Sequence, residues 1–160
     1  MGAAGHLLVV GGDASMGAGL ISRAIADGFV VTATTRNGMP FVTDPEIQWQ
    51  HLNLTRQESI KALSLKGVTH AILLAGVTPI AACEREPHSS YAVNVTGLGQ
   101  IAQGLFREGS EVTALSTSQV FSRHVDRPMP TDERAPTCQY GRQKALLEDL
   151  VLGDELGRIV

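Results

Sequence analysis

Apolar residues fall along this chain in short continuous runs that alternate with segments of helical spacing. His6 to Val10 is such a run, closed by Gly11-Gly12, and it predicts a strand buried on both faces. From Gly17 the spacing changes. Ala18, Ile21, Ala24 and Ile25 line one helical face, and Asp27-Gly28 supplies a stop. Phe29 to Thr35, rich in Val and Thr, predicts a second strand. Ile47 to Leu54 predicts a third around Trp49, followed by a helix from a capping-box pattern, Thr55-Arg56-Gln57-Glu58, to about Leu65. His70 to Ala75 predicts the fourth strand, Pro87 to Arg107 a long helix, and Val112 to Ser116 the fifth strand. Phe121 to Gln139 shows no period and carries Pro128, Pro130 and Pro136, as a functional loop would. A helix through Leu146, Leu147 and Leu150 follows, and Arg158 to Val160 reads as a sixth strand only just begun.

Strands that alternate with helices imply right-handed crossovers and a parallel, doubly wound α/β sheet of the Rossmann type. The expected organisation is one domain over residues 1–160, truncated at the start of its sixth strand. A fifth strand left at the edge would then let two copies pair as a homodimer. Composition narrows the function. With 43% hydrophobic residues the chain can build a real core, and a net charge of −3 with scattered basic residues argues against nucleic acid. No apolar run is long enough for a membrane span, and the first residues lack the pattern of a secretory leader. Cys83 and Cys138 lie far apart, and neither they nor the five histidines show metal-ligand spacing. The expectation is a cytoplasmic protein with free thiols and no metal.

The chemistry-bearing residues gather where the predicted strands end, which is where such sheets bind ligands. Gly11, Asp13, Ala14, Ser15, Met16 and Gly17 form a loop spaced as G-x-x-G-x-x-G, with Ala14 in the middle place. Such a loop brings backbone N–H groups close to a pyrophosphate at a helix N-terminus, although a bare strand-to-helix turn uses the same residues. The second strand ends in Thr34-Thr35-Arg36, without the acidic residue that an NAD ribose would use. Arg36 instead suits a 2′-phosphate, so NADP(H) is favoured over NAD(H), while a plain surface arginine stays open. Ser116-Thr117-Ser118 puts hydroxyls at the end of the fifth strand. Finally, Tyr140 and Lys144 are four residues apart and share a helical face. A lysine cation there would lower the phenol's pKa and make Tyr140 an acid-base group near neutrality.

Taken together, these segments resemble the extended short-chain dehydrogenase/reductase superfamily, closest to the dTDP-4-dehydrorhamnose reductase and sugar-nucleotide epimerase/dehydratase branch. The residues that carry the resemblance are the Gly11–Gly17 loop, Asn53-Leu54, Ala75-Gly76-Val77-Thr78, Val93-Asn94-Val95-Thr96-Gly97, Ser116 to Phe121, and Tyr140-x-x-x-Lys144. The resemblance implies Thr117, Tyr140 and Lys144 as the catalytic residues, with Tyr140 and Lys144 also against the nicotinamide ribose. It implies Asn53 and Leu54 near the adenine, where the Asn53 amide oxygen would accept from the amino group, and Ala75 and Gly76 along the cofactor. It gives Asn94 a bracing role. The implied activity is NADP(H)-dependent reduction of a keto nucleotide-sugar. An epimerase or dehydratase with tightly held NAD, or a non-catalytic NAD(P)-binding regulatory module, are the alternatives.

Overall fold

A computed structural model describes residues 4–37, 44–122, 124 and 126–160. Six parallel strands form one sheet: β1 (Gly5–Val10), β2 (Phe29–Thr35), β3 (Ile47–His51), β4 (His70–Leu73), β5 (Glu111–Ala114) and β6 (Gly157–Ile159), in the spatial order β3-β2-β1-β4-β5-β6. The order turns back between β1 and β4. β1 pairs with β2 from Gly5↔Phe29 to Val9↔Ala33, and with β4 from Leu7↔His70 to Val10↔Leu73. A crevice must open at that reversal, because the loops leaving β1 and β4 diverge to opposite faces.

The helices are α1 (Gly17–Ala26), α2 (Gln57–Ala62), α3 (Ile80–Arg85), α4 (Pro87–Tyr91), α5 (Leu98–Arg107) and α6 (Gln139–Leu152). Successive strand residues face opposite sides, so the sheet divides its core in two. Leu8 and Val10 belong to a large cluster with Leu98, Ile101 and Leu105 of α5 and Leu147 and Val151 of α6. Leu7 and Val9 face α1, where Ile21 and Ala24 close a smaller cluster with Val31, Ala33 and Ile47. Each side chain buried in this way contributes about 1.5–3 kcal/mol.

Several expectations change. The predicted helix over 87–107 is not uniform: α4 passes through a π-helical stretch, Ala92–Gly97, before α5. The helix α3, bounded by Pro79 and Pro87, has too little length to show a period. β3 stops at His51 rather than Leu54. The Thr55–Glu58 capping box does not form. Arg56 is the N-cap of α2 and gives no side-chain bond, while Thr55 turns back onto Asn53. β6 is present over Gly157–Ile159 and pairs with β5, so the sheet edge is β6 and not β5. Among the described residues no helix is long and apolar enough to cross a membrane. No group of metal-holding side chains is found among them either, and both cysteines are free and buried.

Candidate active site

The loop after β1 is fixed by sterics. Gly11 has φ +84°, a left-handed conformation that favours glycine, and a Cβ there would lie 2.7 Å from the Ala75 backbone nitrogen. Gly17 is needed for another reason: its Cβ would come within 2.0 Å of the Gly12 carbonyl oxygen, so α1 could not pack so closely on the loop. Gly11 N–H donates to Thr34 Oγ1 (2.9 Å) and Gly12 N–H to the Thr34 carbonyl (2.9 Å), tying the loop to β2.

This loop forms one wall of a crevice of about 640 Å³ at the carboxyl ends of the strands. Gly11, Asp13, Ala14, Ser15 and Met16 line it from β1, Arg36 from β2, Asn53 and Leu54 after β3, and Ala75 and Gly76 after β4. Thr34, Thr35, Asn37, Val77, Thr78, Pro79 and Leu115 also line it. Of the expected cofactor residues, Gly17, Tyr140 and Lys144 are not on that lining. Gly17 is buried behind the loop as a packing residue. Asn53 is corrected in chemistry rather than place. Its Oδ1 already accepts from Thr55 N–H (3.0 Å) and Thr55 Oγ1–H (2.7 Å), so the amide oxygen expected for an adenine amino group is taken.

The second part of the site lies where α6 meets the segment after β5. Thr117 caps the 3₁₀ turn Ser118–Val120, its Oγ1 accepting from Gln119 N–H (3.3 Å). Gly141 packs directly on this turn, since a Cβ there would be 2.1 Å from the Gln119 carbonyl oxygen. Further along, Ser116 Oγ–H donates to Glu148 Oε1, and Arg134 Nη1–H donates to the other Glu148 oxygen at 3.0 Å. The chain after β5 therefore runs along the stripe of α6 that carries Tyr140, Lys144 and Glu148. Ser116 does not project into the crevice as expected: its hydroxyl serves Glu148. Thr117, Tyr140 and Lys144 stand on two abutting elements, beside the crevice rather than on its lining.

Electrostatics here run against spacing alone. Burial pushes the half-buried Tyr140 phenol above its ordinary value, and the nearby Cys83 and Cys138 thiols push the same way. Lys144 is not among the groups that move it, which corrects the expectation of a depressed phenol. Lys144 itself is buried, and desolvation lowers its pKa, partly offset by the carboxylate of Glu148. Its ammonium makes no hydrogen bond to a described residue.

A buried hydrogen-bond chain joins the two parts, and spacing did not reveal it. Asn94 Oδ1 accepts from Val77 N–H (2.7 Å), and its Nδ2 donates to the Val77 carbonyl (3.0 Å) and to Gln143 Oε1 (2.9 Å). Gln143 Nε2 then donates to Ser90 Oγ (2.8 Å). The loop after β4 is thus held to α6 between Tyr140 and Lys144, through a side chain in the π-helical stretch. Such stretches recur at functional sites. The family resemblance points to the bracing role of Asn94, but not to Gln143 as its partner.

A family model described as the RmlD substrate binding domain matches residues 5–160. The chain belongs to that family. One relative of this RmlD domain is dTDP-4-dehydrorhamnose reductase of Aggregatibacter actinomycetemcomitans, 29% identical over 108 residues, which are 66% of this chain and 37% of that reductase. Among solved structures, a hypothetical dTDP-4-dehydrorhamnose reductase from Sulfolobus tokodaii superposes with TM-score 0.79 at 22% identity, over 91% of this chain and 51% of that one. MoeE5, in complex with UDP-glucose and NAD, gives TM-score 0.79 at 21% identity, over 97% and 52%. The RmlD domain spans about half the length of these solved chains and less of the curated relative.

The crevice residues of the RmlD domain fit a dinucleotide. α1 begins beside the loop with no side-chain cap and no acidic residue in its first turn. The Gly17 N–H is taken by the Ala14 carbonyl (2.8 Å), so α1 offers an anion such as a pyrophosphate its positive dipole end and the N–H groups of Ala18 and Gly19, which bond to no described residue. Ala14 adds a single methyl group to the wall at the middle position of the loop.

Proposed function

We propose that this chain binds NADP(H) and serves the reduction of a keto nucleotide-sugar, the type of reaction that a dTDP-4-dehydrorhamnose reductase is named for. The carrying observation is the meeting of two features at the carboxyl ends of one sheet. These are the crevice walled by the glycine loop, and the turn of α6 that carries Tyr140 and Lys144, whose Gly141 packs on the turn capped by Thr117. When bound, the reduced nicotinamide would supply the hydride. Tyr140 holds its proton more firmly than a free phenol does. That suits a general acid, which must stay protonated until the keto oxygen becomes an alkoxide and then give its proton to that oxygen. Thr117 would orient the same oxygen through its hydroxyl. Lys144, which makes no hydrogen bond to a described residue, would donate to the nicotinamide ribose. At the far end Arg36, exposed and without an ion pair to a described residue, would attract a 2′-phosphate.

Calorimetric titration with NADPH and NADH tests the cofactor. Tighter NADPH binding is expected. No binding to either ends the reading, and a clear NADH preference ends the role given to Arg36. Copurification of firmly held NAD would redirect it to an epimerase or dehydratase. For the chemistry, Tyr140→Phe is expected to lower kcat on a dTDP-4-keto sugar by about 100-fold or more, with NADPH affinity kept. Equal turnover in the two proteins would leave a regulatory dinucleotide-binding module instead.

A further inference from the structure

Asp13 belongs to the glycine loop, yet its side chain is fastened to the end of β2. Its Oδ2 accepts from Thr35 Oγ1–H at 2.7 Å and from Asn37 Nδ2–H at 3.3 Å. The Thr35 hydroxyl is itself held in place, because its oxygen accepts from Asn37 N–H at 3.0 Å. Asp13 Oδ1 makes no hydrogen bond to a described residue. All of these groups, with Arg36 between Thr35 and Asn37, line the same wall of the crevice. In sheets of this order, the end of the second strand is where the adenosine ribose is read: an acidic residue there accepts from the diol, and a basic one takes a 2′-phosphate. Thr35 and Arg36 occupy that strand end, so β2 supplies no acid. The loop supplies one from 22 residues earlier.

We propose that Asp13 is a specificity-determining residue of the dinucleotide site. Its carboxylate offers the ribose diol an acceptor and opposes the 2′-phosphate that Arg36 attracts. This rests on the reading above that the crevice holds a dinucleotide. The two charges are unequal in kind. Asp13 is half-buried and anchored by two hydrogen bonds, whereas Arg36 is solvent-exposed, so its attraction is screened more strongly by salt. Selectivity is then a contest between an anchored anion and an exposed cation, and the preference for NADP(H) is narrower than Arg36 alone would give.

The experiment is calorimetry of NADPH and NADH with the wild type and with Asp13→Asn, Asp13→Ser, Thr35→Val and Arg36→Ala, each first checked for a cooperative thermal transition. Asp13→Asn keeps the shape of the side chain and removes the charge; Asp13→Ser removes the charge and the length. Both are expected to raise the preference for NADPH over NADH by roughly ten-fold, equivalent to about 1.4 kcal/mol. Thr35→Val, which keeps the carboxylate but removes its anchor, shifts the ratio the same way by less. Arg36→Ala shifts it the other way. An unchanged ratio in both Asp13 variants, with both dinucleotides still bound, overturns the assignment of Asp13 and leaves the cofactor reading standing. Failure of the wild type to bind either dinucleotide overturns both.

Discussion

At the scale of single residues, the protonation of Tyr140 and Lys144 is governed first by burial. Tyr140 and Lys144 at i and i+4 were legible as a pair, and their turn does pack on the segment after β5. Their protonation behaviour was not legible, because it follows from burial. Neighbouring groups add to it: Cys83 on α3 and Cys138 push the phenol the same way, and Glu148, one turn beyond Lys144, partly offsets the lysine's shift. The consequence for Lys144 can be measured. Lys144 is a buried residue whose desolvation disfavours the charged form, while Glu148 keeps Ser116 and Arg134 as partners if the lysine is lost. Lys144→Met is therefore expected to raise stability at neutral pH by about 1 kcal/mol, while weakening dinucleotide binding. The sign with pH follows from the lowered pKa. Wild type loses stability as pH falls through the depressed lysine value and regains it above. The advantage of Lys144→Met should then be largest at neutral pH and shrink as pH rises towards the ordinary lysine value. The raised Tyr140 pKa acts in the opposite sense, since stability is lost as pH rises through it. It acts alike in both proteins, so their difference isolates the lysine. Denaturant titrations at several pH values check this. A less stable variant at pH 7, or an advantage that grows with pH, contradicts it.

At the scale of elements, periodicity located every strand start within a residue or so, because apolar runs buried on both faces announce themselves. It did less well where tertiary contacts outrank local pattern. The Thr55–Glu58 box lost to an Asn53–Thr55 turn. The π-helical stretch before α5 is stabilised by contacts the sequence does not display. Asn94 binds Val77 across the crevice, and Gly97 seats against the Leu54 carbonyl, where a Cβ would stand at 2.5 Å. The glycine loop was legible as a motif, but the distinct jobs of its glycines were not. Two glycines of α1 make the point. Gly17→Ala would set a methyl group 2.0 Å from backbone oxygen, which cannot yield as a flexible side chain would. α1 must then shift, at a cost of about 1–3 kcal/mol, and the crevice wall shifts with it. Gly19, two residues on, has nothing within 4 Å of its Cβ direction. Gly19→Ala should stabilise the protein by about 0.4–1 kcal/mol, by restricting the unfolded chain. Thermal melts of the pair check both signs; similar melting temperatures for the two variants would refute the packing role of Gly17.

At the scale of the whole molecule, the alternation of strands and helices gave the sheet and placed its crevice. It could not say how evenly the two faces are covered. One face of the sheet carries α5 and α6 over the large cluster, and among the described residues α1 alone covers the other. α1 lies over β1 and β2, so β4 to β6 present Ile72, Thr113 and Arg158 on that side with little above them. β6 is also the shortest strand, paired on one side only, and carries the exposed Arg158, which discourages a further strand from adding at the edge. Stability should therefore fall across the sheet from its centre to β6. Native-state hydrogen exchange tests this residue by residue. Amides of Leu8 to Val10 in β1, paired on both sides and buried, are expected to exchange only through global unfolding, whereas those of β6 should open at a free energy several kcal/mol lower. Those of β5, paired to both β4 and β6, should lie between. Protection of β6 equal to that of β1 would mean that the sheet unfolds as a single unit, and that the thin cover over β4 to β6 has no energetic consequence. A graded profile would identify the crevice end of β1 and β4 as the rigid part of the molecule. A dinucleotide site needs its rigidity there, since the glycine loop, the end of β2 and the Val77 loop all hang from those two strands.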